Sequence, residues 1–266
     1  MTAAETPVLL VERTEGVATV TLNRPGAMNA LDVALKEALL DGLEEVRHDP
    51  AVRSVVLTAN GRMFCVGQDL REHLALLEAG DPAPLNTVER HYNPICSALV
   101  TMPKPVVAAV NGMAAGAGAS LTFACDFRIA AESSAFLLAF AGVGLTLDSG
   151  ASWTLPRLIG HARATAMALL AEPVPAADAL QMGLVNAVVP DDHVLSAAQE
   201  LAARLAAGPT AAYAAIKESL HTAATSTLDE ALALEGRLQN ALGVSHDHRE
   251  GTAAFVEKRA PRFTGR

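Results

Sequence analysis

The residues from Lys104 to Ala124 read KPVVAAVNGMAAGAGASLTFA, a buried-strand pattern that runs into a glycine-rich turn and the start of a helix. Val106, Val107 and Val110 suit a strand, while Gly112, Gly116 and Gly118 permit tight backbone angles and close approach by a ligand. Main-chain N–H groups at such a helix start supply a positive end for an anion. Two chemistries fit this arrangement: a phosphate cradle of the dinucleotide type, and an oxyanion hole that holds a carbonyl oxygen as charge develops on it. Spacing argues against the cradle. Three positions beyond Gly118 stands Leu121 rather than a small residue, no Lys-Ser or Lys-Thr pair follows, and the strand lies too deep in the chain for an opening βαβ unit. On the residues alone, an oxyanion hole and a structural tight turn are both open.

The chain that must position this turn has 266 residues, 51% hydrophobic and 18% charged, enough for a substantial core in one domain or one domain with an appendage. Net charge is −9, and the Lys and Arg residues are scattered, so no basic stripe is present for nucleic acid. Cys65, Cys96 and Cys125 are odd in number, far apart and set among apolar residues, which fits a reducing compartment and neither a disulfide framework nor a metal site. The start MTAAETP lacks a basic and an apolar leader region, and no run of about 18 apolar residues occurs. These features predict a cytoplasmic protein with no nucleic-acid or membrane partner.

Patterning predicts a hairpin of Val8–Val11 and Val17–Leu22 around Gly16, a helix over Leu31–Arg47 ended by Asp49-Pro50, and a strand at Ser54–Thr58. A loop over Asn60–Gly67, a helix near Asp69–Leu77, a linker near Asp81–Pro84 and a helix reaching Thr101 follow. Strands at Val106–Val110, Phe127–Ala130 and Leu184–Val189 alternate with helices, which argues for an α/β fold with parallel crossovers. Beyond Asp191 the periodicity is helical throughout, in segments 192–207, 210–221, 228–242 and 248–258. Four helices without a strand must cover the sheet or pack on another subunit.

Six ordered motifs make the chain resemble the crotonase, or enoyl-CoA hydratase/isomerase, superfamily over nearly its whole length. They are NRPGAMNAL at Asn23–Leu31, FCVGQDL at Phe64–Leu70, the Lys104–Leu121 stretch, CDFRIA at Cys125–Ala130, GLTLDSGASWTLPRLIG at Gly144–Gly160 and GLVNAVVP at Gly183–Pro190. The resemblance implies a spiral of ββα repeats over residues 1–191 holding a CoA-thioester site. It further implies a helical trimerisation region over 192–266, with a homotrimer or a hexamer built as a dimer of trimers. The substrate it implies is an acyl-CoA thioester, with coenzyme A as part of the substrate and no separate cofactor.

Carried residue by residue, the resemblance puts the oxyanion donors at the Val66 and Ala117 N–H groups, Ala117 replacing a more usual Gly. The two glutamates with which hydratases hold water fall at Ser120 and Phe140, neither a base at neutral pH. The carboxylate left in the region is Asp148, either a proton shuttle for an isomerase or a cap for a helix from Ser149. Other substrate and CoA contacts fall on Arg24, Met28, Cys65, Gly67, Asp69, Gly116 and Phe140, with Phe255 and Lys258 reaching a neighbouring subunit's adenine and phosphate. Asp69 also reads as a helix cap, His73, His91 and His161 as isolated surface or core residues, and Tyr92 as a possible wall of the acyl pocket. Within the superfamily the similarity is strongest to ring-1,2-epoxyphenylacetyl-CoA isomerases, from which Leu147 and Ala151 depart where Pro and Gly are usual. The resulting expectation is an acyl-CoA isomerase, with other crotonase chemistry (hydration or hydrolysis) and a non-catalytic CoA-thioester-binding subunit as the alternatives.

Overall fold

The structure, a computed structural model, describes residues 6–266. Glu15 and Gly16 both take positive φ, 50° and 82°, so the chain reverses and β1 (Leu9–Thr14) pairs antiparallel with β2 (Val17–Leu22). Helix α1 (Val33–His48) starts at Asp32, whose carboxylate accepts the Leu35 N–H at 2.8 Å. Next come β3 (Ser54–Ala59), β4 (Met63–Cys65) and α2 (Leu70–Glu78), then a π-helical turn over Val88–Tyr92 that runs into α3 (Asn93–Val100). The sequence continues as β5 (Val106–Val110), β6 (Met113–Ala115), α4 (Ala117–Phe123), β7 (Phe127–Ala131), β8 (Ala135–Leu137), α5 (Ala151–Ile159) and α6 (His161–Leu170). It closes with β9 (Val174–Pro175), α7 (Ala176–Met182), β10 (Ala187–Val189), α8 (Val194–Ala206), α9 (Thr210–Ala223), α10 (Leu228–Gly243) and α11 (His246–Glu257).

The strands form two sheets, of order β1-β2-β3-β5-β7-β10 and β4-β6-β8-β9. Each unit β3-β4-α2, β5-β6-α4 and β7-β8-α5 leaves one sheet, enters the other and returns through a helix, which is the ββα spiral of the crotonase fold. In the six-stranded sheet pairing is parallel from β2 through β10, as crossover connections require. Strands β3 and β5 are buried on both faces, which is why they read as continuous apolar runs. One face, with Val55, Leu57 and Val106, packs with Leu35, Leu39 and Leu43 of α1. The other, with Val56, Val107 and Ala109, is covered by Ala198, Ala202 and Ala206 of α8. The first of the C-terminal helices is thus part of the core packing.

Several sequence expectations shift. The second sheet was not anticipated, because its strands have two or three residues, too few to show a period. Strand Leu184–Val189 shortens to β10, since Leu184 and Val185 pack in the core ahead of the ladder. Helix α5 begins two residues after Ser149, because Ser149 and Gly150 both take positive φ, 50° and 74°. Among the described residues no helix is long and apolar enough to cross a membrane.

Helix α4 is clamped to β4 at Gly118, where an added Cβ would lie 2.4 Å from the Cys65 carbonyl oxygen and 2.8 Å from its sulfur. Neither backbone can yield without moving β4. Gly118→Ala is therefore expected to lower unfolding free energy by about 2–3 kcal/mol, read from urea midpoints, and an unchanged midpoint would refute the clamp.

Candidate active site

Three loops converge on one cavity. The first carries Asn29, fully buried at φ 54°, whose Nδ2 donates to the Asn60 and Met63 carbonyls at 2.9 Å and whose Oδ1 accepts the Arg24 N–H at 2.8 Å. This fixes the Asn23–Leu31 stretch against β4. The second loop follows β4, and the Gly67 carbonyl accepts the Leu31 N–H at 2.8 Å. The third is the turn at Gly116, which has φ 52° and donates its N–H to the Leu137 carbonyl at 2.8 Å. Gly67 lies so close that a Cβ there would meet the Ala115 carbonyl oxygen at 2.9 Å and the Ala117 nitrogen at 3.3 Å.

That contact brings the two expected donors together. The Ala117 N–H opens α4 and finds no acceptor among the described residues. The Val66 N–H reaches the Met28 carbonyl at 3.3 Å, the long end of the hydrogen-bond range, so it is only weakly committed. Both residues line an inner cavity of about 100 Å³ together with Gly67, Gly116, Phe140 and Asp148. A charged outer cavity of about 630 Å³ shares Val66, Gln68 and Leu70 with it and carries Arg24, Met28 and Asp69. The inner cavity is the smaller and more enclosed of the two.

Asp148 is half-buried on the inner wall and is the only carboxylate there among the described residues. Burial pushes its pKa up, opposed by the Ser149 hydroxyl, which donates to Oδ1 at 2.9 Å. The carboxylate does not cap α5: the Ala151 N–H goes to the Asp148 main-chain carbonyl, and Gly150 provides no side chain. The capping reading of Asp148 is therefore set aside. Ser120 is fully buried, with its hydroxyl given to the Gly116 carbonyl at 3.0 Å, and Phe140 presents an apolar wall.

The remaining candidates divide. Arg24 pairs with Asp32 at 2.9 Å and Asp69 at 3.3 Å, so its charge is already balanced. Asp69 also accepts the Arg71 N–H at 3.1 Å as the cap of α2; burial raises its pKa, but these donors outweigh it and the net shift is downward. Met28, 41% exposed, edges the outer cavity. Cys65 stands apart from the cavity walls. Its side chain reaches neither cavity, because the thiol is fully buried against the Asn29 carbonyl at 3.1 Å and the Gly67 N–H at 3.4 Å, and burial pushes its pKa up to about 12. Phe255 is 85% exposed on α11 and Lys258 ends that helix at φ 55°, away from both cavities within one chain.

Sequence reasoning missed Gln68, Leu85, Thr87, Val143 and Leu145 as cavity walls. Gln68 lies inside the FCVGQDL motif and was findable; Leu85 and Thr87 follow a linker with no period. Tyr92 does line the inner cavity, as does His73, while His91 is buried behind it and His161 is exposed. Among the described residues no cluster of three His, Cys, Asp or Glu could hold a metal ion.

The sequence matches the family model "Enoyl-CoA hydratase/isomerase" over residues 12–266. A protein of Rhodobacter capsulatus named "Probable enoyl-CoA hydratase" is 48% identical over 256 residues, 96% of this chain and 97% of that protein. The "1,2-epoxyphenylacetyl-CoA isomerase" of Escherichia coli is 44% identical over 254 residues, 95% of this chain and 96% of that protein. A crystal structure assigned to the same family, from Mycobacterium abscessus, superposes with a TM-score of 0.94 at 44% identity, covering 97% of this chain and all of that one. On these matches and the spiral fold, the chain belongs to the enoyl-CoA hydratase/isomerase family.

Proposed function

We propose that this family member is an acyl-CoA isomerase that shifts a double bond along an enoyl thioester, with Asp148 as the single proton carrier. The observation carrying this reading is the lone carboxylate on the inner cavity beside two main-chain donors. The thioester oxygen accepts from the Val66 and Ala117 N–H groups, the former giving up its weak contact with Met28. Asp148 removes a proton from carbon 2 or carbon 4, the electron pair moves onto the oxygen as a dienolate, and the amides stabilise the charge. The protonated Asp148 then returns the proton two carbons away, leaving composition unchanged. Hydration needs a second group to activate water, and neither Ser120 nor Phe140 supplies one. The name of the Escherichia coli relative makes an arene-epoxide thioester the next substrate to consider.

The same reading assigns the outer cavity to coenzyme A, with Arg24 exchanging a carboxylate partner for phosphate, and gives Phe255 and Lys258 to a neighbouring subunit's nucleotide. Exposed apolar side chains on the C-terminal helices, Ile216, Leu220 and Leu232 among them, support association as a trimer or a dimer of trimers. Three free cysteines support a reducing, cytoplasmic location.

Asp148→Asn is expected to reduce isomerisation of 3-enoyl-CoA, followed by absorbance of the conjugated thioester and product mass, by at least about 100-fold while acyl-CoA binding persists. Retained turnover would overturn the reading, and a mass gain of one water in the wild type would replace it with hydration. In the wild type the rate should rise with pH through the elevated Asp148 pKa, because only the carboxylate accepts a proton.

Stability should respond in the opposite sense. Above the ordinary 3.8 the unfolded chain loses this proton while the folded one keeps it, so stability falls as pH rises through the folded pKa. Asp148→Asn should therefore stabilise the fold near neutrality and lose that advantage on acidification toward about pH 4, as urea midpoints at the two pH values will report.

A further inference from the structure

Lys36 is the only charged residue among the buried positions of α1, whose neighbours there include Leu35, Leu39 and Leu43. Its side chain is 1% exposed, and an ammonium in such a place is costly unless each N–H finds an acceptor. Nζ donates to Thr87 Oγ1 at 2.8 Å, Gln68 Oε1 at 3.3 Å and Glu72 Oε2 at 3.5 Å, and lies 5.5 Å from the Tyr92 ring centre. The Tyr92 hydroxyl donates to the same Gln68 oxygen. Two donors on one oxygen fix the amide: Oε1 is held toward Lys36 and Tyr92, and Nε2 donates to no acceptor among the described residues. Gln68, Thr87 and Tyr92 all line the inner cavity, and Gln68 lines the outer one as well.

We infer that Lys36 is a positioning residue that orients Gln68, so that the Gln68 amide N–H groups serve as donors in the passage between the acyl and CoA cavities. The matching chemistry on an acyl-CoA is the first amide carbonyl of the pantetheine arm, the next acceptor beyond the thioester on the CoA side. This assignment rests on the acyl-thioester reading of the site and adds to it a determinant of binding distinct from the oxyanion donors and from Asp148. A Met of similar length fills the volume without the charge, and the Glu72 carboxylate it leaves unpaired is 30% exposed and open to water, so thermal melts run beside the titrations read stability apart from binding.

Hexanoyl-CoA, a saturated thioester that cannot isomerise, is the probe, titrated calorimetrically against the full-length protein alongside thermal melts. Lys36→Met, in a variant whose melt shows that it folds, should weaken binding about fivefold to tenfold, the loss of one directed hydrogen bond. Gln68→Leu should weaken it equally, and the double variant no further than Gln68→Leu alone. Tyr92→Phe, which removes the other donor to Gln68 Oε1, provides the same cycle should Lys36→Met fail to fold. Multiplying losses in the double variant, or unchanged binding in the folded single variants, would overturn the inference while leaving the acyl-thioester reading intact. Absence of hexanoyl-CoA binding by the wild type would instead overturn that reading and the inference with it.

Discussion

Backbone touches backbone where the loop after β4 meets the turn before α4, and the site exists because no side chain stands between them. At Gly67 and at Gly118 a single methyl group would collide with main-chain atoms of the opposite loop. Van der Waals contact at those two points sets the separation of the Val66 and Ala117 amides, one from each of two successive ββα units. The spiral supplies the loops at one end of the second sheet, and the glycines let them close. Directional hydrogen bonds then hold what packing has brought together, with Asn29 tying the first loop to β4 and Leu137 receiving the Gly116 N–H.

Around this centre the electrostatics are layered. The inner wall is mostly apolar, and a carboxylate within it is kept from full hydration, so it holds its proton more tightly than an exposed one. The outer cavity is charged, and its Arg24 is neutralised in advance by Asp32 and Asp69. Its guanidinium therefore presents less net positive charge to the outer cavity than a free cation would. Between the two layers the buried Lys36 group spreads its charge over hydroxyl, amide and carboxylate oxygens.

How much of this was legible followed from what each signal depends on. The β5 run of valines and alanines, the Asp49-Pro50 stop and the glycines of the Gly116 turn are local, and local steric rules read them correctly. The second sheet is held by pairings between strands of two or three residues far apart in sequence, a property of topology that no window contains. The motif of Cys65 lies at the cavities while its side chain faces Asn29, and alternation around a three-residue strand is too short to settle facing. Asp148 had two readings until the positive φ of Ser149 and Gly150 carried the start of α5 past it. Thr87 and Leu85 line the cavity from a stretch just ahead of the π-helical turn that has no period to read.

The separation of main-chain donors from side-chain chemistry has an evolutionary consequence. Amide groups at Val66 and Ala117 are supplied by any residue but proline, so drift at these positions alters the shape of the wall and leaves the N–H groups in place. Asp148 stands on an independent loop ahead of α5, while Ser120 on α4 and Phe140 after β8 are buried without a charge. A fold built this way keeps its main-chain frame apart from the side chains that face the cavity, so a substitution among the latter changes the chemistry of the wall and leaves the frame where it was.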